Sequence, residues 1–198
     1  MGFTIAYEIK EKLYLNITNR CTNACSFCIR NNNVGVGFDL WLDHEPQSAE
    51  VIAAIGDASK YSEVVFCGYG EPLLRPEIVQ EVARHLKFSY PDIIIRINTN
   101  GLAEKALEQE FLPDLQGLID VISISLNASD AESYYKLCKP SVGIDAFDAM
   151  LAFARKSKLY IPRVILSVVD LSEIDIEACK KISEDIGAEL RVRTKISD

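Results

Sequence analysis

Three cysteines close together near the start of the chain could hold a metal centre. They are Cys21, Cys25 and Cys28, separated by three residues and then by two. Thiolates so close in sequence can converge on one centre, but iron–sulfur clusters are normally held by four cysteines, and no fourth cysteine follows nearby. The set is therefore one ligand short of a closed site. An open coordination position is what a metal needs if it is to bind a substrate or a cofactor.

A glycine-bearing run, CGYGEP, forms a second candidate group that begins at Cys67. Within it, Gly68, Tyr69, Gly70 and Glu71 combine a backbone that can approach a ligand closely with carbonyl and carboxylate hydrogen-bond acceptors. Glycine and proline also favour ordinary turns, so the run by itself is weak support for a binding site.

Polar side chains at the ends of later predicted strands form a third group. These residues are Thr99, Asn100, Ser123, Ser125 and Asn127, and Arg193 lies in the last predicted strand. Their hydroxyl, amide and guanidinium groups could bind a polar ligand. Turn and capping chemistry, or a surface ion pair for Arg193, explains each residue equally well when it is taken singly.

Alternating strand-like and helix-like segments must position these groups. Strands are predicted over residues 12–18, 63–67, 93–97, 121–126, 164–169 and 189–192. Helices are predicted over residues 46–59, 76–88, 104–111, 131–137, 146–158 and 174–186. Residues 4–9 are predicted to pair with the first strand as a hairpin that turns near Lys10 and Glu11.

This pattern predicts an α/β fold with a parallel sheet and right-handed crossovers. Six such units favour a partial (β/α)6 TIM-like barrel with an N-terminal hairpin-like strand, and a flat doubly wound sheet is the alternative. In either fold the functional site lies at the carboxyl ends of the strands, where the candidate groups are predicted to meet.

Composition limits the protein class. The chain has 198 residues, which suits one domain spanning residues 1–198, and its net charge of −8 argues against broad binding to a nucleic-acid backbone. No apolar run approaches the roughly 20 residues that cross a bilayer, and no signal-peptide pattern is present, so we expect a cytoplasmic protein without membrane contact. In that setting the scattered Cys67, Cys138 and Cys179 are expected to be buried bystander thiols.

The cysteine spacing, with Phe27 before the third cysteine, resembles the signature of the radical S-adenosylmethionine (SAM) superfamily. The resemblance implies a [4Fe–4S] cluster in which Cys21, Cys25 and Cys28 bind three irons, while the fourth iron chelates SAM. The run from Gly68 to Glu71 resembles a Gly-Gly-Glu-Pro segment that contacts the amino group of SAM. Here Tyr69 stands where many relatives have glycine.

The resemblance also implies roles for the strand-end residues. Thr99 and Ser125 are assigned to the carboxylate side of SAM, and Asn127 to the ribose or the substrate rim. Asn100 and Ser123 belong to the same segments, and backbone near Arg193 pairs with the adenine edge in relatives. The implied chemistry is reductive cleavage of SAM to a 5′-deoxyadenosyl radical that removes hydrogen from a substrate. A low-potential donor such as flavodoxin or ferredoxin supplies the electron.

The chain also resembles a narrower family, the TatD-associated radical SAM proteins. This resemblance rests on the small size, the hairpin and the sequence from Asn16 to Cys21. It implies a TatD-like hydrolase as a partner but defines no reaction. The alternatives are a glycyl-radical-enzyme activase, a degenerate SAM sensor, and a non-enzymatic iron–sulfur or zinc protein with His44 as fourth ligand. Apart from residues 31–45 and 137–143, little of the chain remains to form a lid over the site. We therefore expect a bulky, macromolecular substrate that itself closes the site.

Overall fold

The computed structural model describes residues 4–31 and 36–195, and within them seven strands form one sheet. The strands are β1 (Ala6–Ile9), β2 (Lys12–Leu15), β3 (Glu63–Phe66), β4 (Ile94–Thr99), β5 (Val121–Ser125), β6 (Arg163–Asp170) and β7 (Glu189–Thr194). β1 is antiparallel to β2, and every later neighbouring pair is parallel. The predicted hairpin is confirmed, and Lys10 adopts a left-handed φ of 56° in its turn.

Six α-helices lie within the same residues. They are α1 (Ser48–Ile55), α2 (Pro76–Ser89), α3 (Ala103–Leu107), α4 (Ala131–Cys138), α5 (Ala146–Ser157) and α6 (Ile176–Ile186). None of these described helices is long and apolar enough to cross a membrane.

The helix predicted over residues 104–111 is too long. Glu108 takes a left-handed φ of 52° and ends α3 after two turns at most. The carboxylate of Glu104 then accepts hydrogen bonds from the backbone N–H groups of Phe111 and Leu112, at 2.8 and 2.9 Å. A side chain therefore satisfies backbone donors that a longer helix would have paired internally.

The strand order distinguishes between the two predicted architectures. The strands follow one another from β1 to β7 without reversal, and among the described residues β7 does not pair back to β1. A doubly wound sheet requires a reversal of strand order, so that alternative is wrong. The α/β prediction is confirmed, and the sequential open sheet is consistent with a partial TIM-like barrel.

The two faces of the sheet differ in character. Side chains such as those of Phe66, Ile97 and Ile124 are fully buried and pack against the helices in one large core. Alternate positions on β4 and β5 carry polar side chains on the other face, including Arg96 and Ser123. The face away from the helices is therefore the one that can form a polar site.

Arg75, just before α2, joins three parts of the chain. Its guanidinium is buried and donates hydrogen bonds to the carbonyls of Ile17 and Pro46, at 2.9 and 2.7 Å. It also lies 3.6 Å from the carboxylate of Glu45. These contacts fix the end of β2 against the start of α1.

We expect Arg75→Ala to lower the free energy of unfolding by about 2–4 kcal/mol, because it leaves buried carbonyls without a donor. Urea titration measures the free energy of unfolding. An unchanged slope of this free energy against urea concentration would show that the substitution does not alter the unfolded state. Arg84→Ala is the control, since Arg84 is exposed and donates a hydrogen bond to Gln80 in its own helix. A loss no larger for Arg75→Ala than for the control would contradict this role.

Candidate functional site

A cavity of about 210 Å³ opens at the carboxyl ends of the parallel strands. Its walls include most of the residues that the sequence singled out: Cys21, Cys25, Phe27, Cys28, Gly68, Tyr69, Gly70, Glu71, Thr99, Asn100, Ser125, Asn127 and Arg193. Ser123 does not line the cavity and is buried in β5, two residues before Ser125. The predicted convergence of the strand-end groups is therefore observed, with Ser123 as the exception.

The cysteine loop is held from two sides. Arg30 donates hydrogen bonds to the carbonyls of Asn19 and Asn23, which lie before and within the loop. Behind the loop, the backbone N–H groups of Ala24 and Ser26 donate to carbonyls at residues 137–139, at the end of α4. Residues 137–141 thus support the cysteines from behind, and this half of the expected lid does not act as a cover.

The three thiols are free but not equivalent. Burial raises the pKa of Cys21 to about 11, although the N–H of Asn23 points at its sulfur from 3.4 Å. The pKa of Cys25 is lowered, mainly because the thiol of Cys138 donates a hydrogen bond to it. Cys138 is fully buried as expected, yet it contacts a candidate ligand and is more than a bystander.

The glycines at residues 68 and 70 are required by packing within the protein. A Cβ at Gly70 would lie 2.3 Å from the carbonyl of Thr18 and 2.5 Å from that of Arg20. A Cβ at Gly68 would lie 1.9 Å from the side chain of Asn16. The run after β3 therefore lies directly against the start of the cysteine loop, which is a different reason for glycine from the close approach of a ligand.

Glu71 is almost completely buried beneath the cavity. Its carboxylate accepts hydrogen bonds from the N–H of Leu73, the hydroxyl of Thr99 and the N–H of Asn100, at 3.1, 2.8 and 2.6 Å. Burial raises its pKa to about 7, and these hydrogen bonds oppose the rise. The carboxylate is therefore engaged mainly with its own protein, and its first role is to join the loops after β3 and β4.

Thr99 and Asn100 are engaged in the same way. The hydroxyl of Thr99 donates to Glu71 and accepts from the N–H of Gly101. Its assignment to the carboxylate side of SAM stays a prediction. The amide of Asn100 donates to the hydroxyl of Thr22 at 2.7 Å and lies 3.6 Å from the sulfur of Cys21. Asn100 thus connects the end of β4 to a candidate ligand.

Ser125 and Asn127 leave groups available to a ligand. The hydroxyl of Ser125 faces the cavity and has no hydrogen-bond partner within residues 4–31 and 36–195. Asn127 takes a left-handed φ of 51°, and its side-chain oxygen accepts a hydrogen bond from the N–H of Val169 at 3.1 Å. Its amide nitrogen remains for the cavity.

Five lining residues were missed by the sequence analysis: Asn23, Ile29, Cys67, Asn98 and Val169. Cys67 was expected to be a bystander, but it lies in the cavity wall, where the amide of Asn98 forms a hydrogen bond with its thiol. Strand alternation could have identified Asn98, because it lies on the face of β4 that also carries Arg96. Its partner in the β4–β5 register is Ser123, which is not a lining residue.

An aromatic cluster lies next to one wall of the cavity. Tyr69, in that wall, packs edge-on against Trp41, and Tyr7 stacks on Tyr14. Trp41 is half exposed. Residues 32–35, in the same expected lid segment, lie outside the described part of the chain.

The donor set is of the kind that holds an iron–sulfur cluster, because cysteine thiolates are its usual ligands. Three free thiols line one wall, and N–H groups from Asn23 and Asn100 point at the sulfur of Cys21. No group of three Cys, His, Asp or Glu side chains in the described segments is arranged around a single metal ion. His44, the proposed fourth zinc ligand, instead lies on the exposed surface, 2.9 Å from Glu50, and is not in the cavity wall.

Curated relatives share part of their length with this chain. FeMo cofactor biosynthesis protein NifB of Chlorobaculum tepidum is 24% identical over 136 residues, covering 61% of this chain and 29% of that protein. A probable GTP 3′,8-cyclase of Methanocella arvoryzae is 26% identical over 169 residues, covering 83% and 51%. The chain therefore spans about half or less of the length of these two relatives.

Two solved structures share the fold. A radical SAM methyltransferase from Sphaerobacter thermophilus aligns with a TM-score of 0.58 at 16% identity, over 96% of this chain and 68% of its own. Methylornithine synthase (PylB) aligns with a TM-score of 0.64 at 20% identity, over 93% and 53%. At this identity the likeness concerns the fold alone.

The family model of the radical SAM superfamily matches residues 15–181, which include the cysteine loop and the carboxyl ends of β2 to β6. Members of this superfamily are enzymes that use a [4Fe–4S] cluster and SAM. With the sequential sheet and the three thiols in one cavity wall, this match means that the chain belongs to the radical SAM superfamily.

Proposed function

We propose that this chain, as one domain, is a radical SAM enzyme in which Cys21, Cys25 and Cys28 hold the cluster and SAM binds in the adjoining cavity. The observation that carries the proposal is that three free thiols share one cavity with the glycine run after β3 and the hydroxyl of Ser125. When bound, the cluster and SAM supply a 5′-deoxyadenosyl radical that removes a hydrogen atom from the substrate. The protein orients these groups and excludes competing reactions.

The residues around the thiols tune and position the site. N–H groups from Asn23 and Asn100 near the sulfur of Cys21 stabilise negative charge there, and hydrogen bonds to sulfur affect a cluster's reduction potential. Glu71 orients Asn100 from below. In this proposal Ser125 and the amide of Asn127 supply the polar contacts to SAM.

Two partners belong to the proposal. Radical SAM enzymes generally need a reductant, and a flavodoxin or ferredoxin would meet that need here. A TatD-like hydrolase is a partner on sequence resemblance alone. The rival hypothesis of a glycyl-radical-enzyme activase has the same cluster and differs in its substrate, a protein glycine.

We expect Cys25→Ala to abolish iron–sulfur binding in protein reconstituted anaerobically, whereas the unsubstituted chain is brown and holds about four irons and four sulfides. Cys179→Ala is the control, because Cys179 is buried in α6 and is not a cavity residue. Iron and sulfide analysis beside circular dichroism distinguishes loss of ligand from loss of fold. One tightly bound zinc without iron in the unsubstituted chain would refute the assignment.

Ser125→Ala should weaken SAM binding to cluster-loaded protein by about 1–3 kcal/mol, the usual effect of losing one polar contact. Ser123→Ala is a matched control, since Ser123 lies two residues earlier on the same face of β5 but outside the cavity wall. Titration with SAM gives both affinities. Equal effects of the two substitutions would show that Ser125 makes no contact with SAM.

We further propose a macromolecular substrate that completes the cavity wall, which is supported by the half-exposed Trp41 packed against Tyr69 of that wall. Radical chemistry needs shelter from solvent. Cluster-loaded enzyme with SAM and dithionite should therefore cleave SAM only slowly when no substrate is present. Fast cleavage coupled to a metabolite of ordinary size would contradict this part of the proposal.

A further inference from the structure

Arg193 lies in the wall of the cavity on β7, the last strand of the sheet. It is next to Val169 in the β6–β7 register, and Val169 is itself in the wall. The side chain of Asn127 binds the N–H of Val169 and so fixes the end of β6. Arg193 is therefore held on an ordered strand and faces the same space as the cysteine loop.

The guanidinium of Arg193 has no partner in the described parts of the chain. Its Nε is buried without a hydrogen bond, and no described carboxylate forms an ion pair with it. By contrast, Arg163 on the neighbouring strand β6 pairs with Glu189 at 2.7 Å. The residue as a whole is partly buried, but a buried polar atom without a partner is costly, and a ligand of opposite charge would satisfy it.

Few ionisable groups act on this charge. Arg193 interacts electrostatically with Cys67, Arg191 and Cys25. Burial raises the pKa of Cys67, which keeps that thiol uncharged, and Cys25 is assigned to the cluster. Glu71, the buried carboxyl in the same wall, is engaged with Thr99 and Asn100. Burial also lowers the pKa of Arg193, as expected for a cation that lacks its counterion.

We propose that Arg193 binds an oxyanion of the substrate, a carboxylate or a phosphate. A guanidinium presents paired N–H donors that match two oxygens of such a group. The inference rests on the proposed function only in calling the ligand a substrate. The binding of an oxyanion by Arg193 does not depend on that function. It defines a substrate class: the molecule that enters the cavity carries a negative charge on the β7 side.

The position of Arg193 separates this role from cofactor binding. The cysteine loop follows β2, and the proposed SAM contacts follow β3, β4 and β5, whereas Arg193 is on the far side of β6. An anion held there leaves the hydroxyl of Ser125 and the cysteine loop free for SAM. Substrate and SAM should therefore bind together without competing.

The test is titration of the full chain, purified anaerobically, with inorganic phosphate in one arm and acetate in the other, followed by 31P and 13C NMR. Arg193→Gln should weaken binding of the preferred anion at least tenfold, and Arg193→Lys should keep part of it. Arg191→Gln is the matched control, because Arg191 is exposed two residues earlier on β7, and it should change affinity less than twofold. The anion that binds more tightly shows whether the site prefers a carboxylate or a phosphate.

Three results would overturn the inference: no saturable binding of either anion, equal binding by Arg193→Gln and the unsubstituted chain, or displacement of the anion by SAM. A changed reduction potential of the cluster in Arg193→Gln, with unchanged anion binding, would also overturn it. That result would mean that the charge of Arg193 acts on the cluster thiolates. Iron content and SAM affinity, measured on the same samples, report the proposed function separately. A chain that binds phosphate but no iron would refute that function and leave the anion site standing.

Discussion

The buried carboxylate of Glu71 is the interaction on which the site depends. It accepts hydrogen bonds from groups after β3 and from both the side chain and the backbone at the end of β4. Its own backbone N–H donates to the carbonyl of Arg20 at 2.7 Å, at the entrance to the cysteine loop. One residue therefore joins the ends of three neighbouring strands. Burying a carboxyl raises its pKa and is unfavourable by itself, so the surrounding donors are what make the position tenable.

The cysteine loop has little structure of its own and takes its shape from its surroundings. Backbone hydrogen bonds from residues 137–141 support it behind, and Arg30 links its two ends. The glycines after β3 allow a second loop to lie against it with backbone in contact with backbone. Because both sides are fixed, Cys21 and Cys25 experience different environments: burial raises the pKa of one, and a thiol donor lowers the pKa of the other.

The inner face of the sheet carries positive side chains although the whole chain is negative. The chain carries a net charge of −8, yet the face turned away from the helices holds Arg96 and Arg193, each with a buried Nε that lacks a partner among the described residues. Arg96 lies 3.4 Å from Glu63, which also binds Lys12 at 2.6 Å, while Arg193 has no such carboxylate. Net charge thus says little about a cavity, because local potential depends on the few groups that line it.

The sequence by itself determined the alternation of strands and helices, the hairpin, and the three cysteines as one group, because these follow from local periodicity and from spacing within a few residues. It also placed Gly70, Ser125 and Asn127 at strand ends that meet in one cavity. Only the tertiary structure decided that Glu71 and Thr99 bind each other, that Cys67 lines the cavity while Ser123 does not, and that Arg193 lacks a counterion. Those outcomes depend on hydrogen-bond partners and burial between residues as far apart as Cys21 and Asn100, and no local pattern in the chain specifies which polar group is already satisfied.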